Sequence, residues 1–225
     1  MFADREDAGR RLAAKLTRFK GPDTCVLALP RGGVPVAFYV AERLGAPLDL
    51  VLVRKIGAPS QPELAVGAVV DGHDPEVVVN EDVVAMFHLP KDYLKEETAR
   101  QLKEIERRRE VYLAGRPRID LAGRTVLIVD DGIATGATIK AALRATRRAK
   151  PKRLVLAVPV APVDTIEALR GEADEVVCLE AHELFGAIGA YYADFTQVGD
   201  DEVRDLMARA DAWRSSEPAP PHSAS

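Results

Sequence analysis

Short apolar runs that lack polar alternation constrain the fold of this 225-residue chain more than any other feature. The runs at 24–30, 125–129 and 153–162 are each followed by a segment with helical spacing, and 48–56 and 174–180 predict two further core strands. A continuous apolar run is typical of a strand buried on both faces, as in a parallel sheet covered by helices. We therefore predict an α/β fold with three layers, α/β/α, around a mostly parallel twisted sheet.

A long insert, residues 57–118, separates the second and third of these core strands. Within it, 63–80 predicts two strands around a turn at 71–75, and 91–113 predicts a charged helix that is solvated for most of its length. Connections as long as this often form functional lids. The residues of the predicted lid that we single out are the hinge candidates Gly57, Pro59 and Pro62, and the arginines Arg107, Arg108 and Arg109 that could reach the site.

The chain as a whole predicts a single domain of residues 1–214 that carries a small hood. The N-terminal segment 1–20 and the aromatic, irregular segment 180–200 are the two candidate parts of the hood. Residues 215–225 are rich in proline and serine and are predicted to form a disordered tail.

Charge and cysteine content narrow the classes of function. The formal net charge of −4 gives no reason to expect nucleic acid or an anionic membrane as a partner. No apolar run is long enough to span a bilayer and the charged N-terminus has no apolar signal core, so we expect a cytoplasmic protein. The two cysteines, Cys25 and Cys178, lie inside apolar runs and are predicted to be free, buried thiols.

The segment VLIVDDGIATGAT, residues 126–138, carries the strongest indication of chemistry. Asp130 and Asp131 end a core strand, at the edge where parallel sheets bind their ligands. The small residues 134–138 lead into the next helix, where unpaired N–H groups and the helix dipole attract an anion such as phosphate. Because carboxylates repel phosphate, the two acids suit sugar hydroxyls, Mg²⁺, or both.

This segment has an alternative interpretation, a tight turn in which an aspartate caps the helix and no ligand binds. It is not a Walker loop, because GKS or GKT is missing, and it lacks the GxGxxG of a dinucleotide fingerprint. An anion site beside two acids fits a ribose that has a phosphate at one end and a Mg²⁺-bound polyphosphate at the other. The length of the segment favours this ligand site.

The same segment resembles the binding motif for phosphoribosyl pyrophosphate (PRPP) in type I phosphoribosyltransferases. ALPRGGVPVA, which starts at Ala28, resembles the pyrophosphate loop after the first strand of these enzymes, and VRKIGAP resembles the basic segment after their second strand. The order of these motifs, with a hairpin insert between them, is similar to a bacterial and archaeal subgroup of unassigned substrate. The resemblance extends from about Phe2 to Trp213.

The resemblance implies a role for each matching residue. Arg31, Gly32 and Gly33 would bind pyrophosphate, with a strained or cis peptide at Arg31–Gly32. Asp130 and Asp131 would hold the ribose hydroxyls and, directly or through water, Mg²⁺ as the cofactor. The residues implied in catalysis are Arg31, Lys55, Asp130 and Asp131. Those implied in substrate binding are Arg31, Gly32, Gly33, Arg54, Lys55, Asp130, Asp131, Ala134, Thr135, Gly136, Ala137 and Thr138, of which Ala134 to Thr138 would cradle the 5′-phosphate.

The implied activity is transfer of the phosphoribosyl group from PRPP to a nitrogen nucleophile, a nucleobase or another amine, with release of pyrophosphate. The resemblance also implies a homodimer, since relatives are commonly dimers. Two alternatives from other classes stay open: a PRPP-sensing regulator that binds nucleic acid or a protein partner, and a scaffold with a degenerate site. The acidic balance argues against nucleic acid, and the intact Arg31, Lys55, Asp130 and Asp131 argue against a degenerate site.

The acceptor is the least defined part of the predicted reaction. Relatives that use 6-oxopurines typically have an aspartate where this chain has Ala134, and this difference argues against hypoxanthine or guanine handled in that way. The hood carries aromatic side chains that either stack on a base or fill a small core. The candidates are Phe185, Tyr191 and Tyr192 for stacking, and Glu183 and Asp194 for hydrogen bonds to a ring edge.

Overall fold

The structure, a computed structural model, describes residues 1–59, 61–71, 76–79, 81–87 and 90–216. Its strands are β1 (Thr24–Ala28), β2 (Leu48–Leu50), β3 (Val53–Ala58), β4 (Gln61–Val70), β5 (Glu76–Val79), β6 (Thr125–Val129), β7 (Arg153–Pro162) and β8 (Glu175–His182). Its α-helices are α1 (Arg5–Leu16), α2 (Gly33–Leu44), α3 (Glu81–Met86), α4 (Lys91–Leu113), α5 (Ala137–Arg148), α6 (Val163–Leu169) and α7 (Asp200–Ser216). The predicted tail begins two residues too early, because Ser215 and Ser216 belong to α7; residues 217–225 lie outside the described residues.

Five parallel strands form the main sheet in the order β2-β1-β6-β7-β8. Neighbouring residues of one strand contribute to opposite faces of this sheet. Leu127 of β6 packs in one core cluster with Phe38 of α2, whereas Ile128 packs in a second cluster with Leu143 of α5. Helices therefore cover both faces, and the predicted three-layer α/β/α fold is confirmed.

The predicted single strand over 48–56 is wrong. β2 pairs with β1 only as far as Leu50, and β3 begins at Val53 in a separate antiparallel sheet with the order β3-β4-β5. Val51 and Leu52 between them are buried although they belong to neither strand. Arg54 and Lys55 therefore belong to the small antiparallel sheet and not to the main sheet.

The remaining predicted elements of the insert are confirmed in part. β4 and β5 form the expected antiparallel hairpin, and its turn, 72–75, lies outside the described residues. α4 is the expected long helix of 23 residues. One face of its C-terminal half is buried, at Ile105, Tyr112 and Leu113, whereas Lys103, Glu106, Arg107 and Glu110 are exposed as predicted.

Residues 1–20 and 180–200 lie against one another along their backbones. Phe2 N donates to Tyr191 O at 2.8 Å, and Ala193 N donates to Phe2 O at 2.8 Å. Phe2, Ala8 and Tyr192 are buried together with Val160 at the end of β7. We use the name hood for these two segments from here on, because they are joined at the carboxyl end of the main sheet.

Two local predictions outside the site have clear outcomes. Cys25 and Cys178 are both free thiols; Cys25 is buried as predicted, whereas Cys178 is half-buried. Burial raises the pKa of Cys25 to about 12 and that of Cys178 to about 11. Within the described ranges, no helix has both the length and the apolar character needed to cross a membrane.

Candidate active site

The turn after β1 lies directly against the end of β6. Leu29 N donates to Val129 O at 3.0 Å, which continues the β1–β6 pairing beyond the strands. A Cβ atom on Gly32 would lie 2.1 Å from Oδ2 of Asp131, and one on Gly33 would lie 2.9 Å from the Cα atom of Asp130. Only residues without a side chain fit at these two positions, so the predicted pyrophosphate turn and the two acids face the same space.

The sequence resemblance placed the strained or cis peptide bond one residue too late in the chain. The structure has a cis peptide bond between Pro30 and Arg31, not between Arg31 and Gly32. Gly32 instead has φ −58° and ψ −35°, an ordinary right-handed helical conformation, as the N-cap of α2.

The two acids make different contacts. Asp130 Oδ1 accepts a hydrogen bond from Asp131 N at 2.9 Å. Asp131 Oδ2 accepts from Arg5 Nε at 2.8 Å, and the backbone oxygen of Asp131 accepts from the Tyr192 hydroxyl at 2.5 Å. Arg5 is the first residue of α1, so the hood closes over the acids from the N-terminal side.

Burial dominates the electrostatics of this pair. It raises the pKa of Asp130 well above its usual range, and the neighbouring Asp131 carboxylate raises that pKa further. Burial also raises the pKa of Asp131, and the hydrogen bond from Arg5 opposes this shift. Two enclosed carboxylates with one cation beside them favour a further cation or several hydrogen-bond donors.

The loop between β6 and α5 has the properties of an anion site. Ile133 N donates to Val160 O at 3.0 Å, which fixes the loop to β7. Gly136 has φ +74°, a left-handed conformation that glycine adopts without steric cost. α5 begins at Ala137 with no acidic residue in its first turn, so its unpaired N–H groups meet no competing carboxylate there. The predicted phosphate-loop residues other than Gly136 are exposed: Ala134, Thr135, Ala137 and Thr138.

Arg31 contacts α7 and, through it, the insert. Its Nη1 atom lies 3.5 Å from Oδ1 of Asp200, the first residue of α7. The same oxygen accepts a hydrogen bond from the hydroxyl of Tyr112, near the end of α4, at 2.7 Å. The insert helix therefore ends beside the predicted pyrophosphate turn.

Arg54 and Lys55 lie on β3 of the small antiparallel sheet, and not at the end of a core strand as predicted. Arg54 Nε donates to Oε1 of Gln101 on α4 at 2.9 Å, and Lys55 is an exposed residue opposite Ala68 of β4. The structure thus places these two basic residues on a different sheet from β1 and β6, whose ends carry Arg31 and the two acids.

Three arginines of α4 were considered from the sequence as groups that could reach the site, and each makes a different contact. Arg107 Nε and Arg108 Nε each donate to Glu104 of the same helix at 2.8 Å, and these bonds lower the pKa of Glu104 to about 2. Arg109, whose side chain is 12% exposed, pairs through Nη1 with Oδ2 of Asp71 at 3.1 Å.

The hood side chains do not all fit the role of base contacts. Tyr192 is buried with Phe2 in the small core, which is the second of the two roles considered for it. Phe185 and Tyr191 stack on each other, with ring centroids 4.9 Å apart. Asp194 Oδ1 accepts from Thr196 N at 2.9 Å. Glu183 is exposed.

Three residues at the site were absent from the sequence prediction: Arg5, Tyr112 and Asp200. Each comes from a helix end that is distant in sequence from the two motifs. Arg5 lies in a charged segment in which Arg10 and Arg11 have the same local pattern, so only the tertiary structure distinguishes it.

Comparisons with known proteins identify the family of the chain. The model of the phosphoribosyl transferase domain matches residues 2–196, and the chain therefore belongs to the phosphoribosyl transferase family. Two proteins of Mycobacterium tuberculosis, "Putative phosphoribosyl transferase MT0597" and "Putative phosphoribosyl transferase Rv0571c", are each 51% identical over 210 residues. Those matches cover 93% of this chain and 47% of each relative, so the chain spans about half the length of these relatives.

A solved structure of similar fold extends over nearly the whole chain. The crystal structure of TT1426 from Thermus thermophilus is 45% identical and has a TM-score of 0.80. The match covers 92% of this chain and 98% of TT1426.

Proposed function

We propose that the chain transfers the 5-phosphoribosyl group from PRPP to a nitrogen nucleophile and releases pyrophosphate. The observation that carries this proposal is the contact between the turn after β1 and the end of β6, where Gly32 and Gly33 leave room only because they lack side chains. Pyrophosphate would bind at Arg31, Gly32 and Gly33. Ribose would lie on Asp130 and Asp131, and the 5′-phosphate in the loop 134–138.

The reaction replaces the bond from ribose C1 to a pyrophosphate oxygen by a bond from C1 to nitrogen. Positive charge builds on the ribose ring as the leaving group departs, and the buried carboxylates of Asp130 and Asp131 stabilise this charge. Arg31 stabilises the charge that develops on pyrophosphate. Its partner Asp200 holds the guanidinium at this edge before the ligand arrives. The chain thus contributes position and electrostatics rather than a covalent intermediate.

Mg²⁺ fits this site only together with its ligand. Among the residues that the structure describes, no group of three or more His, Cys, Asp or Glu side chains could hold a metal ion. Asp130 and Asp131 would therefore hold Mg²⁺ along with oxygens of PRPP, directly or through water. When bound, the ion would neutralise the pyrophosphate as it leaves.

The acceptor is proposed as an amine or nucleobase nitrogen that enters beneath the hood. Ala134 is an exposed residue whose backbone oxygen accepts from Thr165 Oγ1 at 3.1 Å. It offers no side-chain carboxylate to move a proton on a purine ring. The acceptor must therefore present a nitrogen that is already nucleophilic, or another residue must take the proton. The homodimer expected from the sequence stays a prediction.

The test combines PRPP binding with a screen for product. Calorimetry with Mg²⁺ and PRPP should show binding by the wild-type chain, and Asp130→Asn with Asp131→Asn should abolish it while the circular dichroism spectrum stays unchanged. The matched control is Asp92→Asn with Glu96→Gln, which removes two exposed carboxylates from α4 and should bind as the wild type does.

A panel of nucleobases and simple amines, added with Mg²⁺ and PRPP, should then identify an acceptor by pyrophosphate release. A wild-type chain that does not bind PRPP contradicts the proposal. Binding without pyrophosphate release in any mixture would instead favour the PRPP-sensing regulator.

A further inference from the structure

Arg5 is the hood residue whose side chain bonds to a carboxylate of the site. The Tyr192 hydroxyl, on the second hood segment, contacts Asp131 at its backbone oxygen instead. Its Nε atom lies 2.8 Å from Asp131 Oδ2, and the side chains of Arg5 and Asp131 are only 11% and 10% exposed. A guanidinium and a carboxylate this enclosed make a strong, directional contact. Arg5 therefore restricts the positions that the Asp131 carboxylate can take.

The guanidinium of Arg5 is itself held by the second hood segment. Nη1 donates to the backbone oxygen of Thr196 at 2.8 Å, and the Cζ atom lies 3.9 Å from the ring centroid of Phe195. A planar group with several fixed donors can make these contacts at once, which a lysine ammonium cannot. One side chain thus joins Asp131 to the loop 195–196.

The backbone that carries Arg5 is also fixed. Asp4 caps α1 by accepting from Asp7 N at 2.8 Å, and Asp194 N donates to Ala3 O at 2.9 Å. Asp4 is thus anchored to the first turn of α1, and Ala3 is anchored to the second hood segment, 180–200. The position of the guanidinium follows from this anchoring.

From this geometry we propose that Arg5 is a positioning residue: it holds the Asp131 carboxylate in place for the ribose of PRPP and ties that position to the hood. This inference rests on the proposed function. It assigns to the N-terminal helix a role that neither of the two loop motifs contains. Asp131 remains the residue that contacts the sugar, and Arg5 acts through it.

The test compares Arg5→Gln, Arg5→Lys and a matched control, Arg10→Gln. Arg10 lies on the same helix, pairs with Glu6 at 2.8 Å and packs on Tyr39 with 4.4 Å to the ring centroid, but its side chain is 59% exposed. Arg5→Gln should raise the Kd of Mg²⁺-PRPP, measured by calorimetry, about ten- to a hundredfold, the range for loss of a hydrogen bond to a charged group. Arg5→Lys should recover part of this loss, whereas Arg10→Gln should bind as the wild type does.

A double-mutant cycle of unfolding measurements checks that Arg5 acts through Asp131. This measurement needs no ligand. In urea, the combined effect of Arg5→Gln and Asp131→Asn on the unfolding equilibrium constant should be smaller than the product of their separate effects. If Arg5→Gln does not fold, Arg5→Lys takes its place in the cycle.

Four results would overturn the inference: a Kd for Arg5→Gln equal to that of the wild type, tighter binding by that variant, equal losses in Arg5→Gln and Arg10→Gln, or a cycle with independent effects. Failure of the wild-type chain to bind Mg²⁺-PRPP would overturn the proposed function together with this inference. Wild-type binding that Arg5→Gln leaves unchanged would overturn this inference alone.

Discussion

Gly32→Ala tests the closest approach in the site. The backbone of Gly32, with φ −58° and ψ −35°, suits alanine, so the effect of the substitution is steric. The added methyl carbon would lie 2.1 Å from Asp131 Oδ2 and 2.7 Å from its Cγ. An ordinary contact needs about 3.5 Å, so Oδ2 must move by about 1.4 Å.

A movement of that size would break the hydrogen bond from Arg5, which is now 2.8 Å long. Forcing a methyl group into a packed region costs about 1–3 kcal/mol, and we expect the free energy of unfolding to fall by this amount. Displacing the carboxylate that would contact ribose should weaken binding of Mg²⁺-PRPP about tenfold or more.

The assay is urea unfolding together with calorimetric titration of Mg²⁺-PRPP. Gly171→Ala is the matched control, because no atom lies within 4 Å of its added Cβ. If Gly32→Ala is as stable as Gly171→Ala and binds PRPP as tightly as the wild type, the proximity of the glycine turn to Asp131 has no functional meaning.

Three further substitutions probe other parts of the structure. Gly136→Val places a β-branched residue at φ +74° and its Cβ 2.9 Å from Thr165; we expect about 1–3 kcal/mol less stability and no PRPP binding by calorimetry. Gly45→Val, at φ +62° with nothing within 4 Å, should lose stability alone, and equal PRPP binding by both variants would locate the phosphate elsewhere. Asp71→Asn removes the carboxylate that Arg109 and Arg118 share, at a side chain that is 3% exposed, and leaves Arg109 with Asp49 at 3.5 Å. Urea unfolding should therefore show a loss of about 3 kcal/mol, against little change for the exposed Asp120→Asn. Asp130→Asn removes a carboxylate whose pKa burial raises. Because that shift favours the protonated form in the folded state, the wild type loses stability as pH rises from the unfolded pKa to the folded one. The variant should therefore have a higher free energy of unfolding than the wild type at pH 8, and this difference should shrink below about pH 4. A difference of the same size at pH 8 and below pH 4 would contradict burial of Asp130 as its cause.

The sequence predicted the core strands well because burial on both faces leaves a continuous apolar run. The same signal failed at 48–56 for a physical reason. Val51 and Leu52 are 4% and 2% exposed although β2 ends at Leu50. Val51 N still donates to Ala28 O of β1 at 3.0 Å, whereas Leu52 O accepts from Asp71 N at 2.9 Å. Burial continues through this change of partner, so an apolar run cannot mark where the chain changes sheets.

The site was predictable to the extent that it follows the ends of two adjacent strands. β1 and β6 are neighbours in the sheet, so a turn after one and two acids after the other must meet. Arg5, Tyr112 and Asp200 were not predictable, because they reach this edge from three helices whose docking depends on the whole core. Local sequence patterns do not indicate how these helices pack on the core.

Burial of the two carboxylates lowers the free energy of unfolding, and Arg5 of the hood partly offsets this loss. Burial raises the pKa of both acids, which means that the folded chain holds their charge less favourably than water does. Arg5 compensates Asp131 directly, whereas the same guanidinium acts on Asp130 only through space and opposes the rise of its pKa less strongly than burial drives it. A cationic ligand beside Asp130 would favour the ionised form of this carboxyl group, which burial disfavours. The electrostatic strain at Asp130 is thus the physical reason to expect that a metal-bound, ribose-containing ligand stabilises this fold, and that its binding raises the midpoint of thermal unfolding in proportion to RT ln(1 + [L]/Kd).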